Sequence, residues 1–562
     1  MSFADIFVFC GFFALLYGAA KVGSGFFESF NPPHDLPVID LSPGGLAYYT
    51  ARSMMRMFAA LAISLVVALA AGYAAAKNRK AESIILPLLD IGQSVPILGF
   101  LAITVDGFIA LFPGSLFGLE CASIFAIVTC QLWNMAFVFY FSVKTLPRDL
   151  EDASRVFRMS KWRKFISLEV PYGMTGLVWN AMMSFGGGWL YVSAAEAINY
   201  SNKNYYLPGI GSYVAKAFQV NDMRAITWAS LTIILVIIVV DQLFWRPVMA
   251  WAGKFQTQPV TGQEDSSWAL DLLRSAQVPR WLNRRLRRIR AALFQIKWPA
   301  APQLPKLKTK NRPFGVSGDL LFGVLVGGTV VAALYSGATY LRRELPLAEV
   351  GIATMGGLAT LLRVAALLLV STVIWTPIGV WIGFNPKIAR RIQPVVQILS
   401  SYPYNFLFPI IAFALHAAGV PMSITAILLM ALGSQWYVLF NTIAGAIEVP
   451  AEMRQMAESY GLKGWLLWKR LIIPAIFPAW VTGAITATGG AWNASILCEI
   501  VSRENETLAA PGLGTYIAQA TAANDWPRIV LGVMLMCVTV VAINRLVWQR
   551  LYDLAESRYR IV

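Results

Sequence analysis

The sequence has few charged and few metal-binding side chains. Only 14% of its 562 residues are Asp, Glu, Lys or Arg, and its two histidines are His34 and His416. It has no H-E-x-x-H motif, so we expect no metal site. It also lacks G-x-x-x-x-G-K-[ST], the loop that holds nucleotide phosphates in many ATPases. Any ATP hydrolysis linked to this chain must therefore come from another protein, and we expect no cofactor in the chain itself.

Cysteine is also scarce. The five cysteines all lie in apolar segments, and none forms a C-x-x-C pair. Redox or metal chemistry is therefore disfavoured, and small buried side chains are the simpler interpretation. The residues are Cys10, Cys121, Cys130, Cys498 and Cys537.

Long apolar runs are what the sequence has in abundance. Hydrophobic residues make up 57% of the chain, and its mean hydropathy is +0.59. A helix of about twenty apolar residues crosses a bilayer, and roughly a dozen segments have that length. The net charge of +16 is concentrated in short connections and one central run. We attribute it to membrane orientation rather than to nucleic-acid binding, and predict an all-α polytopic membrane protein in contact with lipid.

The chain contains an internal repeat. The segment from Arg56 matches that from Arg363 at an offset of 307, and after a four-residue slip an offset of 303 holds through the rest of each half. So many matches without a further gap indicate two homologous halves. Matched pairs include Gly72/Gly379, Pro147/Pro450, Pro171/Pro474, Trp189/Trp492, Glu196/Glu499 and Trp245/Trp548.

The repeat divides the chain into halves at residues 1–250 and 316–562, with a linker at 251–315. Each half has about six apolar segments, and an even number makes the two halves parallel. The segments are 4–20, 54–76, 84–112, 119–143, 171–197 and 226–247, then 318–341, 356–384, 394–416, 421–446, 471–498 and 527–548. Basic connections after the second and fourth segments predict that both termini are cytoplasmic.

The linker between the halves is strongly basic. Residues 274–312 carry twelve Lys or Arg and no acidic residue. Two interpretations stay open: an amphipathic helix on an anionic inner leaflet, or a solvated tether whose charge only enforces topology. The apolar face of such a helix would contain Trp281, Leu282, Leu286, Ile289 and Leu293.

Two polar connections occupy matching places in the halves. The first, from Glu151 to Pro171, puts eight charged residues between two apolar runs, and the second extends from Ala451 to Pro474. A short helix along the cytoplasmic face needs a turn residue, which Gly461 supplies, and a rigid start to the next span, which the prolines supply. The pattern favours a docking segment for a motor subunit.

These connections resemble the EAA loop of permease subunits of binding-protein-dependent ABC importers. The position that holds glycine in that motif is occupied by Arg158 in the first copy and by Gly461 in the second. The resemblance implies that both loops contact an ATPase. Its Glu-Ala-Ala positions are occupied by Asp152, Ala153 and Ser154 in the first half and by Gln455, Met456 and Ala457 in the second.

The segments "GGGWLYVSAAEAI...LPGIGSY" and "GGAWNASILCEIV...APGLGTY" are similar to permeases for nitrate, sulfonate, taurine or bicarbonate. The resemblance implies a fused, two-half permease in the bacterial cytoplasmic (inner) membrane. It also implies two ABC ATPase subunits, which carry ATP and Mg, and a periplasmic or lipid-anchored binding protein.

Polar residues in the third segment of each half are candidates for the solute path, because polar side chains in a membrane default to functional hypotheses. The alternative is helix packing through small polar residues. The first half contributes Asp90, Gln93 and Ser94, and the second contributes Gln397, Ser400, Ser401, Tyr402 and Asn405.

Near the ends of the fifth segments, Glu196 follows Trp189, and Glu499 follows Trp492, by seven residues. We consider these four residues candidates for an outer gate or a contact with the binding protein. Equally, each acid could pair with a neighbouring arginine or cap a re-entrant turn. Two unpaired acids on the path would repel an oxyanion.

Two other functional classes stay open at this point. Two parallel halves also fit a secondary transporter driven by an ion gradient, which would use its buried acids and need no ATPase. The other class comprises an ABC export or lipid-handling permease, or an integral subunit that signals rather than transports. A neighbouring ATPase gene argues against the first, and a neighbouring binding-protein gene favours import.

Overall fold

The computed structural model of the chain is predominantly helical, and the two halves repeat each other element by element. It describes residues 18, 20–28, 38–94, 104–105, 107–200, 203–255, 268–275, 328, 332 and 335–558, without 448, 504 and 505. The predicted segments 4–20 and 318–341, and the basic stretch 276–312, lie largely or wholly outside these residues. The domain boundaries at 250 and 316 stay predictions.

Among its described residues, the first half has a 3₁₀ turn at Gly25–Phe27, followed by seven principal helices and one β-hairpin. They are α1 Pro43–Lys77, α2 Arg79–Ser94, α3 Phe117–Lys144, α4 Arg148–Val156, α5 Val170–Glu196, β1 Ala197–Tyr200, β2 Lys203–Tyr206, α6 Ile210–Gln219 and α7 Met223–Val240. A short helix at Lys161–Lys164 precedes α5, and Arg246–Ala252 and Trp268–Ser275 follow α7.

The second half has the same order, with its third segment divided by a 3₁₀ turn at Tyr404–Leu407. Its elements are α8 Leu347–Gly383, α9 Pro386–Ser401, α10 Phe408–Ala417, α11 Met422–Ile447, α12 Ala451–Ser459, α13 Ile473–Cys498, β3 Ile500–Arg503, β4 Glu506–Ala509, α14 Leu513–Ala522, α15 Trp526–Ile543 and α16 Gln549–Arg558. A short helix at Gly464–Leu467 precedes α13.

The repeat extends to irregular features. π-helical turns at Phe165–Glu169 and Trp468–Ile472 precede α5 and α13. The hairpins are antiparallel, with Ala197 opposite Tyr206 and Ile500 opposite Ala509. These shared details support the division into homologous halves.

Seven helices among the described residues are long and apolar enough to cross a membrane, and eight if the bent pair at Pro394–Ser401 and Tyr404–Ala417 counts as one span. The protein is therefore an all-α polytopic membrane protein with two halves. The seven are Pro43–Lys77, Phe117–Lys144, Met223–Phe255, Leu347–Gly383, Met422–Ile447, Gly464–Cys498 and Trp526–Ala555.

Local sequence sets the start of the last span in each half. Asn221 and Asn524 have φ angles of 53° and 55°, a conformation that asparagine tolerates better than most residues. The next residue caps the following helix: Asp222 accepts from the amide of Ala225 at 3.0 Å, and Asp525 accepts from that of Arg528 at 3.3 Å. The repeated Asn-Asp pair is therefore a helix boundary.

The first long helix of each half packs closely on the fourth predicted segment. A Cβ atom at Gly72 in α1 would lie 2.9 Å from the carbonyl oxygen of Ala136 in α3. At the matching Gly379 in α8, it would lie 2.9 Å from Cβ of Thr442 in α11. Glycine is thus required at both places because it allows the helix backbones to approach.

We expect Gly72→Leu and Gly379→Leu to destabilise the protein by about 1–3 kcal/mol, because the added side chains overpack these contacts. Thermal unfolding in detergent measures the effect. The control is Gly351→Leu, since nothing lies within 4 Å of a Cβ at that position. Equal melting temperatures for all three variants would contradict the close-approach interpretation.

Candidate functional site

Two helical segments project between spans at matching positions. We call residues 148–164 the first coupling segment and residues 451–467 the second coupling segment. In each, a proline precedes the helix, Pro147 before α4 and Pro450 before α12. A second short helix then leads into α5 or α13. The two segments therefore share one backbone plan.

The turn after each helix needs a left-handed residue. Arg158 has a φ of 47° and Gly461 a φ of 65°. The left-handed conformation is costly for arginine and free for glycine. The first segment thus keeps the turn of the motif although it lacks the glycine. The closing hydrogen bonds also match, from Met159 N to Ser154 O at 3.0 Å and from Leu462 N to Ala457 O at 2.9 Å.

An aromatic side chain is exposed at the end of each helix. Phe157 is 71% exposed and the matching Tyr460 is 78% exposed. Large apolar side chains exposed on a loop often mark a protein contact. Of the predicted coupling residues, Ser154 and Ala457 are buried and Ala153 is half-buried. The exposed ones are Asp152, Arg158, Gln455, Met456 and Gly461.

One ion pair lies within the first coupling segment, and another joins the π-helical turn that follows it to α1. Lys164 Nζ lies 2.8 Å from Glu151 Oε1, and Lys77 Nζ lies 2.6 Å from Glu169 Oε1. The hydrogen bond from Lys164 lowers the pKa of Glu151 below its ordinary value. The Lys164–Glu151 pair is therefore present at neutral pH and is lost as the pH falls through the lowered pKa.

Glu196 lies in a fully buried network at the end of α5. Arg56 Nη1 and the Ser53 hydroxyl each donate to its Oε1 at 2.5 Å. The amide of Gly211, in the first turn of α6, donates to its Oε2 at 2.8 Å. The carboxylate thus joins α1, α5 and α6, and its charge is compensated by an arginine and a helix N-terminus.

Glu499 has the same arrangement in the second half. It accepts from Arg363 Nη1 at 2.6 Å and from the Thr360 hydroxyl at 2.7 Å. The amide of Gly514 in α14 donates to its Oε2 at 2.8 Å. Arg363 also donates to the Pro511 carbonyl at 2.6 Å, as Arg56 does to the Pro208 carbonyl at 2.8 Å.

The first half adds a second buried ion pair. Glu120 in α3 pairs with Arg52 and, at 2.5 Å, with Nε of Arg56. In the buried network of the first half, the charges of two arginines balance those of two glutamates. In the described part of the second half, one arginine balances one glutamate. The matching positions of Arg52 and Glu120 hold Ala359 and Ser423, so neither charge of the extra pair has a counterpart in the second half.

Neither glutamate faces a gate opening. Glu196 and Glu499 are 0% exposed, and Trp189 and Trp492 are 1% and 0% exposed. Of the alternatives, pairing with an arginine is the arrangement that the structure has. Protein covers both carboxylates in this conformation. A gating role for the four residues, or a contact with a binding protein, stays a prediction.

A cavity of about 90 Å³ lies between the halves. Among the predicted path residues, Gln93 and Ser400 line it. Gln93 also borders a wider cavity of about 380 Å³ against α13, α15 and α16. The other polar residues lining the small cavity are Thr129, Asn134, Tyr191, Tyr404, Tyr437, Thr486 and Asn493.

The remaining path candidates of the second half join the two halves. Tyr402 donates to the Ser230 hydroxyl at 3.0 Å, and Asn405 donates to the Ser193 hydroxyl at 2.9 Å. These contacts favour helix packing over solute binding for those side chains. Ser401 packs on Gly186, with Gln397 nearby. The side chains of Asp90 and Ser94 lie outside the described part of the structure.

Sequence reasoning missed several cavity residues. Asn134 and Asn493 are amides within long apolar helices, which is itself a signal for function. Tyr437 has no such signal, because tyrosine is common in membrane proteins. Repeat matching could not find these residues, since Asn134 corresponds to Tyr437 and Asn493 to Leu190.

Comparison with protein families identifies the chain. The family described as "Binding-protein-dependent transport system inner membrane component" matches residues 43–244 and 376–561, more than half of the chain. The chain belongs to this family. Each half carries one copy of the family's domain, so this permease is a fusion of two homologous permease units and a multi-pass membrane protein.

Individual relatives resemble part of the chain. The bicarbonate transport system permease protein CmpB of Synechococcus elongatus is 24% identical over 38% of this chain and 69% of its own length. The nitrate import permease protein NrtB of a Synechocystis species is 24% identical over 31% and 60%. The putative aliphatic sulfonates transport permease protein SsuC of Bacillus subtilis is 26% identical over 29% and 55%. These relatives belong to the predicted nitrate, bicarbonate and sulfonate branch.

Removing one partner of the second-half ion pair should destabilise the permease strongly. We expect Arg363→Met to cost about 3–5 kcal/mol, because it leaves Glu499 buried without its cation. Adding Glu499→Gln should recover part of this loss. Unfolding in detergent measures both. The control is Arg528→Met, whose ion pair to Glu349 is partly exposed (side chain of Arg528 46%) and worth at most about 1 kcal/mol.

Substitutions at the two left-handed positions should have opposite effects on stability. Arg158→Gly should stabilise the first coupling segment by about 1 kcal/mol, because it relieves the left-handed arginine. Gly461→Arg should destabilise the second by a similar amount. Hydrogen exchange of the two segments measures the change locally. Slower exchange in Gly461→Arg than in wild type would contradict the turn assignment.

Proposed function

We propose that this permease forms the solute path of an ATP-driven importer and couples to two ABC ATPase subunits. The contacts lie within residues 149–166 and 452–468, which overlap the two coupling segments. One observation carries the proposal. In a chain of the binding-protein-dependent permease family, the first helix of each of two matching segments ends in the same left-handed turn and exposes an aromatic side chain there. Such an end fits a groove on a motor subunit and transmits its movement to α5 and α13.

The ATPase subunits supply the chemistry. ATP and Mg bind to them and not to the permease, whose sequence has no phosphate-binding loop of the G-x-x-x-x-G-K-[ST] type. The permease is thus a transport subunit and not an enzyme. Closure of the ATPases pushes the two coupling segments and switches the central cavity between outward and inward access.

The remaining partners follow from this arrangement. The basic connections between spans support a cytoplasmic position for the coupling segments and both termini in a bacterial cell. A periplasmic or lipid-anchored binding protein delivers the solute to the opposite end of the halves, where the hairpins β1–β2 and β3–β4 lie.

The solute is a small polar compound such as those named for the relatives: bicarbonate, nitrate or a sulfonate. The buried glutamates do not oppose an anion, because each is paired with an arginine. Amide and hydroxyl groups of Asn134, Thr129 and Asn493 line the cavity and could replace part of a solute's hydration.

We expect the double variant Phe157→Asp with Tyr460→Asp to reduce co-purification of the candidate ATPase at least about tenfold, because a charge replaces an apolar anchor on each surface. In lipid discs, the double variant should no longer stimulate ATP turnover by the ATPase. The control is Val38→Asp, which adds the same charge at a residue that is 91% exposed outside the coupling segments.

The wild-type permease decides between the functional classes. If no ATPase binds it and an ion gradient alone drives uptake, the importer proposal is wrong and the permease works as a secondary transporter. If the ATPase binds and a gradient has no effect, the coupling segments are motor contacts.

A further inference from the structure

We propose that the two coupling segments bind their ATPase subunits by different forces, charge pairing at the first and apolar contact at the second. This inference rests on the proposed function, since it assumes that ATPase subunits occupy both segments. It adds that the two contacts respond differently to ionic strength, so that one can be weakened without the other.

The exposed surfaces differ in charge. Nine of the 17 residues in the first coupling segment are charged, against four of 17 in the second. Seven of the nine are exposed, five basic and two acidic, which gives this surface a net charge of +3. The exposed basic residues are Arg148, Arg155, Arg158, Lys161 and Arg163.

The second surface is apolar instead. Trp465 is 72% exposed, Met456 is 57% exposed and Leu466 is 49% exposed. The matching positions in the first segment hold Arg163 for Leu466 and Ala153 for Met456. Trp465 matches the half-buried Trp162. Besides the shared aromatic, the first segment thus exposes five basic residues and Val156, and the second exposes Trp465, Met456 and Leu466.

The contacts beneath the segments differ in the same way. Lys77, Lys164 and Glu169 form a charged cluster in the first half, with Lys164 Nζ also 3.8 Å from Glu169 Oε1. Their matching residues are Phe384, Leu467 and Ile472, which pack in one hydrophobic cluster. All three charged positions of one half are apolar in the other, so the difference extends from the surface to the support.

These two kinds of contact respond differently to salt. The screening length falls from about 10 Å at 0.1 M to about 3 Å at 1 M, which weakens pairing between exposed charges. Burial of apolar surface is not weakened by screening. The groove that receives the first segment must then carry acidic side chains, and salt should release that segment while the second stays bound.

Site-specific crosslinking tests each contact separately. A photoreactive benzoylphenylalanine replaces Phe157 in one sample and Tyr460 in another, in the whole permease–ATPase complex without nucleotide. Between about 0.05 M and 1 M NaCl, we expect crosslinking from position 157 to fall at least about tenfold, and from position 460 less than about twofold. Equal changes at the two positions would overturn the inference while leaving the proposed function intact. If neither position gives crosslinks to the ATPase at low salt, both this inference and the proposed function are overturned.

A variant with two fewer exposed charges tests the first surface, and a substitution in the second segment is its matched control. Arg155→Gln with Arg163→Gln should reduce crosslinking from position 157 at low salt and remove most of its salt dependence. Lys463→Gln, which removes an exposed charge from the second segment, should leave crosslinking from both positions unchanged. A salt dependence that survives in the double variant would show that another force acts at the first surface.

Discussion

The buried arginine–glutamate pair of each half is the contact on which the surrounding structure depends. Arg56 or Arg363 comes from the first long helix, and its glutamate ends the helix before the hairpin. The same carboxylate binds the amide of Gly211 or Gly514 in the next short helix. A charge buried alone in such a place is strongly unfavourable, so each group stabilises the fold only while all the others are in place.

This pair lies at the end of the helix bundle opposite the coupling segments. In α1, Arg56 and Lys77 are 21 residues apart, or about 30 Å along a helix. The buried carboxylates therefore hold α1 at Arg56, 13 residues after its start, and its last residue, Lys77, contacts Glu169 below the first coupling segment. A rigid helix held at these two points can carry movement of a coupling segment along its length.

Fusion of two homologous units has allowed the halves to diverge. In a homodimer, any change in one coupling surface appears in the other, whereas a fused chain can change one surface alone. The backbone has stayed the same: Arg158 keeps the left-handed turn of Gly461. The side chains differ between the halves: Arg52 matches Ala359, and Lys164 matches Leu467. Geometry is thus conserved between the halves while the forces that maintain it differ.

Sequence reasoning succeeded where a feature is contiguous or repeated. Matching offsets located the halves and the coupling segments, because each is a continuous stretch whose copies can be compared directly. The partners of Glu196 and Glu499 were left open among several alternatives. The arginines lie about 140 residues earlier in the chain. Only the packing of α1 on α5 and α6, and of α8 on α13 and α14, brings each pair together.

The sequence by itself determined the membrane class, the two-fold repeat, the scarcity of charge within the spans and the position of both coupling segments, because these follow from composition and local order. The tertiary structure alone decided which charges neutralise each other and which side chains line the central cavity. Tyr404 and Tyr437 of one half meet Asn134 and Tyr191 of the other there. The physical reason is that burial and charge compensation are properties of residues distant in the chain, and only the folded packing sets those distances.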